Sequence, residues 1–328
     1  MGKLDYEKVL ARLGQGPGPL LIICHISPDG DAIGAALAVA HYCEGEGRDY
    51  VLVNDDPIPA RYDFLPYAER FRLSAAIAER FAQAVAVDCA DERRMGNAAS
   101  LFAKDCELIN IDHHDTNSGF GDYSLVEGEA AATCLVLYRM MRASGTPIGR
   151  AMALCLYTGI VFDTGGFRYN NSTPEIHLAA ADLLTRDIEP FMVADRVLEA
   201  LTREQAELIR LGLATLTIDD RGRVAHVAVD RQMLLAAGAD EGDADVLLPF
   251  TRSLSGVEVG LLFRERPDGS VKVSMRSRDR VDVGAIALHF GGGGHVRAAG
   301  CNFPGPLHDA VSLLLQRVKS EVAAAFGE

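Results

Sequence analysis

Tryptophan is absent, and aromatic residues make up only 7% of the 328 positions. An extended groove that stacks the successive bases of a long single strand is therefore not expected, and short substrates are favoured. Positive charge is also scarce: 32 Lys and Arg face 46 Asp and Glu, a formal net charge of −14. That balance argues against a broad basic surface for long duplex nucleic acid or for anionic lipid, so any anionic substrate has to be gripped locally. The seven cysteines, at 24, 43, 89, 106, 134, 155 and 301, are odd in number and include no C-x-x-C pair, so neither a disulfide framework nor a zinc ribbon is indicated. No apolar run reaches the ~18 residues that a membrane span needs. The N-terminal MGKLDYEKVL has acidic residues and no apolar core, and Tyr6 breaks the myristoylation pattern at Gly2. The expectation is a cytoplasmic protein with no membrane partner.

What is present is ordinary globular composition, 48% hydrophobic and 24% charged, over about twice the length of one domain. The first half alternates continuous apolar runs, Leu20 to Ile26, Val51 to Asn54, Ala84 to Asp88 and Leu108 to Asp112, with helical patterns such as Asp31 to Cys43. Such runs read as strands buried on both faces of a parallel sheet. The fold class expected is α/β, an N-terminal doubly wound domain whose ligands sit beyond the carboxyl ends of its strands. Further helices are expected near Ala130 to Ser144, Ala151 to Phe162 and Pro174 to Leu184. A charged segment, 187–210, reads as a linker helix between a domain at 1–186 and another at 211–328.

Beyond that linker the pattern changes. Leu213 to Ile218 and Val224 to Val229 flank Asp219-Asp220-Arg221-Gly222, and Val257 to Phe263 and Val271 to Met275 flank Pro267-Asp268-Gly269. These are two hairpin signals. With helices at Val281 to Phe290 and Leu307 to Phe326, they predict a smaller α+β domain, its sheet mainly antiparallel or mixed.

The chemistry gathers at the strand ends. After the first strand comes His25-Ile26-Ser27-Pro28-Asp29-Gly30-Asp31, an imidazole and two carboxylates on one strand-to-helix turn. Asp29 or Asp31 alone would serve as a helix cap. Together with His25 they can instead surround a hard or borderline divalent cation. Asp88 ends the third of these strands, Asp112-His113-His114 the fourth, and Asp163 lies at the end of a helix in GIVFDTGGF. So many acidic and imidazole groups in one place need positive charge between them, which points to two metal ions.

The stretches HISPDGDAIGAALA, VAVDCAD, NIDHHDTN and GIVFDTGGF resemble the four motifs of the DHH phosphoesterase superfamily, and SMRSR followed by FGGGGHVRAAG resembles its DHHA1 substrate-binding domain. In length and domain pairing the chain is similar to the NrnA-like group of bifunctional oligoribonucleases and 3′-phosphoadenosine 5′-phosphate (PAP) phosphatases. The resemblance implies one cation on His25, Asp29 and Asp88, and a second on Asp31, Asp88, His113 and Asp163, with Asp88 bridging. Asp112 would orient a neighbouring imidazole, and His114 would face the scissile phosphate. The mixed donor set suits Mn²⁺ first, with Mg²⁺ or Co²⁺ as alternatives. Paired cations of this kind activate water and neutralise phosphate oxygens, so the expected reaction is phosphate ester hydrolysis.

The substrate grip is expected in the second domain. From Arg264 to Arg297, seven positive residues outnumber four acidic ones, reversing the sign of the whole chain. Arg276 and Arg278, two apart on a predicted strand, would share a face and fork onto phosphate oxygens. In Gly291-Gly292-Gly293-Gly294-His295 the missing side chains would let backbone N–H groups approach a phosphate or a base, with His295 alongside. The run matches neither nucleotide-binding glycine fingerprint.

Taken together, these features predict a two-metal phosphodiesterase with its site in the cleft between domains. It would act on short 5′-phosphorylated RNA and dinucleotides such as pApA, with the nucleoside bisphosphate PAP as a second substrate. A homodimer is implied only by the resemblance. The rival readings are a cyclic-di-AMP phosphodiesterase, a RecJ-like single-strand exonuclease, a family II pyrophosphatase (disfavoured by the glycine run) and a non-catalytic nucleotide sensor.

Overall fold

The computed structural model describes residues 3–219 and 221–328, so Met1, Gly2 and the turn residue Asp220 lie outside the described residues. The chain forms two compact units, divided between Ala200 and Leu201.

The first unit contains α1 (Lys3–Gly14), β1 (Leu20–Cys24), α2 (Gly30–Gly45), β2 (Tyr50–Asn54), β3 (Arg72–Leu73), β4 (Phe81–Val87), β5 (Phe102–Asp112), β6 (Tyr123–Val126), α3 (Thr133–Ser144), α4 (Arg150–Asp163), α5 (Pro174–Leu184) and α6 (Pro190–Ala194). Its six strands are all parallel, in the order β3-β2-β1-β4-β5-β6. Along β1 the side chains alternate between two cores: Leu20, Ile22 and Cys24 join the helices α2, α3 and α4, while Leu21 and Ile23 meet Met95 and Leu101 on the other face. Burial on both faces explains the unbroken apolar run. Strand order reverses at β1, with β2 and β3 on one side and β4 to β6 on the other. The carboxyl ends of β1 and β4 are therefore where a doubly wound sheet places its ligands.

The second unit contains α7 (Arg203–Leu213), β7 (Thr217–Ile218), β8 (Val224–Val229), α8 (Arg231–Ala237), α9 (Leu248–Arg252), β9 (Val259–Glu265), β10 (Val271–Ser277), α10 (Val283–His289), β11 (Gly293–His295), β12 (Ala298–Phe303) and α11 (Leu307–Phe326). Its sheet runs β11-β12-β10-β9-β8-β7, antiparallel except for the β8–β9 pair. Val271, Val273 and Met275 of β10 pack on one face with Leu314 and Val318 of α11. Among the described residues no helix is long and apolar enough to cross a membrane.

Two readings of the sequence change. The segment 187–210 is not one helix: α6 starts at Pro190, a wide turn over Asp195–Glu199 follows, and Ala200 is extended. Thr202 and Gln205 then form a reciprocal cap that starts α7. The strand expected at Leu213 to Ile218 shrinks to Thr217–Ile218, because α7 runs through Leu213 and buries Leu208 and Gly212 at helical spacing.

Candidate metal centre

Strand register brings the site together. Cys24 is level with Val87, and Val87 with Ile111, so the next residues, His25, Asp88 and Asp112, emerge side by side from β1, β4 and β5. Asp88 takes a left-handed backbone turn, φ 57°, as it leaves the sheet, and its N–H donates to the Ile111 carbonyl at 2.9 Å. That turn sends a buried carboxylate back across the strand ends.

Three overlapping groups of donor atoms result: His25, Asp29 and Asp88; Asp31, His113 and Asp163; and Asp88, His113 and His114. Within each group the donor atoms lie within 4.8 Å of one another. His25 Nε2 is 3.5 Å from both Asp29 Oδ2 and Asp88 Oδ2, while His113 Nε2 is 3.5 Å from Asp88 Oδ1 and 3.2 Å from Asp163 Oδ2. Asp88 therefore offers one oxygen to each side. Asp29 caps α2, its Oδ1 accepting from the N–H of Asp31 and Ala32, and this leaves its Oδ2 facing His25.

The outer contacts hold the donors in place. His25 Nδ1 lies 2.7 Å from the Ile26 carbonyl oxygen and His113 Nδ1 lies 3.1 Å from that of Ala130, which turns both Nε2 atoms inward. Asp112 serves His114, whose Nδ1 lies 2.8 Å from its Oδ1, and the Asn117 amide donates to the other oxygen at 2.6 Å. At the N-terminus of α3, the Thr133 and Cys134 N–H groups donate to the two Asp31 oxygens at 2.6 and 2.9 Å, and the Thr133 hydroxyl donates to Asp88 Oδ1 at 2.8 Å. Thr133 and Asn117 were missed in the sequence. Their only signal is position, the first residue of a helix and the fifth after Asp112, and neither has meaning without the topology.

The electrostatics call for cations. Burial, then the charge of Asp88, pushes the Asp31 carboxyl up to about 7. Burial, then the charges of Asp31, Asp29 and Asp88, holds Asp163 well above the carboxylate range. Burial works to lower the His25 imidazole, but the bonds and charges of Asp29 and Asp88 raise it to about 10. Asp88 is held far below the usual range: burial opposes ionisation, but His25, His113 and His114 surround it. Left without metal, Asp31, Asp163 and His25 hold protons around the ionised Asp88 where carboxylate and imidazole ligands would otherwise face a cation, so the donor set fits divalent metal.

The protein stripped by chelator is accordingly expected to lose thermal stability as pH rises from about 5 to about 9. Asp31, with its folded value above the ordinary 3.8, favours the folded state least once pH passes about 7. The support of His25 is complete below 6.5 and is lost as pH climbs through about 10. Asp88 acts in the opposite sense, but only as pH falls below 3.8. Melting curves with chelator and with saturating Mn²⁺ test this: metal should flatten the decline, and a metal-free melting temperature that rises over that window would contradict the electrostatics.

Close helix packing fixes the spacing of Asp31 and Asp163. A Cβ on Gly159 of α4 would lie 2.3 Å from Cys134 Sγ and 2.5 Å from Asp31 Oδ1, so only glycine fits there. Gly159→Ala should fold but displace Asp31, weakening Mn²⁺ binding by roughly 10- to 100-fold, as measured by calorimetry. Unchanged affinity would show that Asp31 is not held by this contact.

In the second unit the expected substrate groups are arranged differently from the sequence reading. Arg276 lies on β10, but the strand ends at Ser277, and Arg278 sits one residue beyond it with its guanidinium donating to the carbonyls of Arg252 and Leu254 at 3.0 and 3.3 Å. The strand stops because the buried Glu258 carboxylate gathers the N–H groups of Asp279, Arg280 and Val281. Gly293, Gly294 and His295 form the edge strand β11, paired with β12. Gly292 and Gly294 are small because β12 is close: a Cβ at either would lie 2.2 to 2.5 Å from the carbonyl oxygen of Gly300 or Ala298. Gly293 and His295 are exposed.

Two family models match the chain: the DHH family N-terminal domain over residues 19–160 and the DHHA1 domain over residues 223–324. Over 312 residues it is 35% identical to the bifunctional oligoribonuclease and PAP phosphatase NrnA of Thermus thermophilus, covering 94% of this chain and 91% of that one. It is 24% identical to the protein of that name from Bacillus subtilis, covering 85% of this chain and 87% of the relative. In fold it is similar to an exopolyphosphatase-related protein from Bacteroides fragilis, with a TM-score of 0.91 at 22% identity over 99% of this chain and 98% of that one.

Proposed function

Because the chain belongs to the DHH family of phosphoesterases and carries a DHHA1 domain, we propose that it hydrolyses short oligoribonucleotides and dinucleotides such as pApA to mononucleotides, and removes the 3′-phosphate of PAP. The observation that carries this reading is the convergence of His25, Asp29, Asp31, Asp88, His113 and Asp163 where strand order reverses. His25, Asp29 and Asp88 would hold one divalent cation, and Asp31, Asp88, His113 and Asp163 the other. Mn²⁺ suits the mixed imidazole and carboxylate donors, with Mg²⁺ or Co²⁺ as alternatives. When bound, the cations supply Lewis acidity at the phosphoryl oxygens and a nucleophile at neutral pH.

The protein's own residues do the rest. Asp88 fixes both halves of the donor set, and Asp112 sets the orientation of His114, which faces the reacting phosphate. Arg276, Arg278, the backbone of Gly292, Gly293 and Gly294, and His295 bind the substrate. Arg278, tied to two carbonyls, acts as a positioned cation with its remaining N–H groups. A cytoplasmic location belongs to this reading and suits seven free thiols, six of them buried.

Turnover with Mn²⁺ of pApA, a five-nucleotide RNA, a ~25-nucleotide single strand, cyclic-di-AMP and PAP, side by side, tests the proposal. Fast cleavage confined to the two- and five-nucleotide substrates, with or without PAP, is expected. Preference for the cyclic dinucleotide or for the long strand would replace the reading, and inertness toward all five would leave a nucleotide sensor.

A further inference from the structure

One cationic group in the second unit is explained neither by the metal centre nor by the glycine-run edge. On β10, Val271, Val273 and Met275 enter the core, so Lys272, Ser274 and Arg276 project from the opposite face of the sheet, each half-buried. Lys272 is level with Arg264 on β9 and with Asn302 on β12. Arg264 is 1% exposed: it pairs with Asp245 at 3.1 Å, donates to the Glu241 carbonyl and to Ser274 Oγ at 3.2 Å each, and leaves its buried Nε unpartnered. Among the described residues the Lys272 ammonium makes no hydrogen bond or ion pair, although the charges of Asp245 and Glu241 attract it. Glu241 is engaged by Arg266 at 3.0 Å, and Asp245 already pairs with Arg264.

The Arg264 charge directly opposite on the sheet face repels Lys272, and a half-buried ammonium that Asp245 and Glu241 attract without an ion pair is costly. The residues across from Ser274 and Arg276 on β12 are Gly300 and Ala298, which leave that side of the strand uncovered by long side chains. We propose that Lys272, with the Ser274 hydroxyl on the same face and the charge of buried Arg264 behind it, forms a position, distinct from the glycine-run edge, that holds a phosphate group of the oligonucleotide. The proposal rests on the reading that the substrate is an oligonucleotide. Lys272 and Arg276 are four residues apart on one strand, about 13 Å, so the two engage different phosphates of one extended chain. Burial, and next the charge of Arg264, holds the Lys272 ammonium below its ordinary value, a bias that a bound anion reverses.

The phosphate can be the terminal monoester or an internal diester, and kinetics on matched substrates separates them. Full-length Lys272→Gln is compared with wild type on pApA, unphosphorylated ApA and a five-nucleotide RNA with Mn²⁺. KM should rise about tenfold, more than kcat falls, wherever the contacted phosphate is present. A rise for pApA but not ApA identifies the terminal phosphate; a rise for the five-nucleotide RNA alone identifies an internal one. Lys272→Arg should restore wild-type KM. The metal-free protein is also titrated with inorganic tripolyphosphate, a probe that needs no catalysis. Weaker tripolyphosphate binding by Lys272→Gln would uphold the position even if the wild type cleaved no oligonucleotide, which would overturn only the functional reading. Unchanged KM on all substrates and unchanged tripolyphosphate binding would overturn the proposal.

Discussion

Asp88→Asn is expected to lower kcat roughly a thousandfold or more on every substrate the protein hydrolyses, and to reduce the number of Mn²⁺ ions retained. The argument starts from the backbone. Asp88 sits at φ 57°, a region that Asn tolerates better than Ala, so Asn keeps the turn, the side-chain size and the Thr133 contact while removing the charge. Its two oxygens face opposite ways, one toward His25 and the other toward His113 and His114, so one substitution weakens both halves of the donor set. No neighbour can replace it: Asp112 is tied to His114 and Asn117, and Asp31 to the start of α3. Bound metal is counted by elemental analysis after desalting, and turnover is read on pApA. Normal turnover in metal-replete buffer would sink the assignment of Asp88 as the shared ligand.

Much of this site was legible because it is built from short-range grammar. Each segment that carries a candidate donor is an apolar run followed at once by a polar residue, and strands buried on both faces advertise their own ends. The hairpin pattern and the long apolar periodicity of α11 made the second unit readable for the same reason. Illegible were the contacts that depend on which strands are neighbours. Nothing in the local sequence pairs Thr133 with Asp88, 45 residues away, or marks Gly159 as the place where α4 meets the carboxylate of Asp31. The end of β10 was misplaced because the Glu258 carboxylate that terminates it comes from 21 residues earlier. The run of glycines likewise gives no sign that, at Gly292 and Gly294, the closeness of β12 leaves no room for a side chain. The broken segment 187–210 shows the same limit at the level of elements. Its charges gave no apolar period strong enough to reveal that Thr202 restarts a helix.

The second large effect concerns His114. His114→Gln should lower kcat by roughly 10²- to 10⁴-fold while leaving bound Mn²⁺ and the melting temperature near wild type. The geometry separates this imidazole from those of His25 and His113. Their Nδ1 atoms rest on backbone carbonyls, whereas His114 Nδ1 rests on Asp112, a fully buried carboxylate whose other oxygen is occupied by Asn117. Burial works to lower the His114 imidazole, but the bond to Asp112 and then the charges of Asp88 and Asp112 raise it above its ordinary value. On this reading Asp112 is a positioning residue: Asp112→Asn should give a smaller loss, and adding it to His114→Gln should not deepen the larger one, since both changes act through one group. Leaving-group dependence distinguishes the two roles open to the ring. If His114 donates a proton to the departing oxygen, the variant's defect should shrink strongly on a nucleoside 5′-p-nitrophenyl phosphate, whose phenolate leaves without protonation. If it stabilises charge on the phosphoryl group, the defect should persist on both substrates. A His114→Gln protein that loses metal instead would place the imidazole among the ligands, as its proximity to Asp88 permits, and would move the catalytic assignment elsewhere.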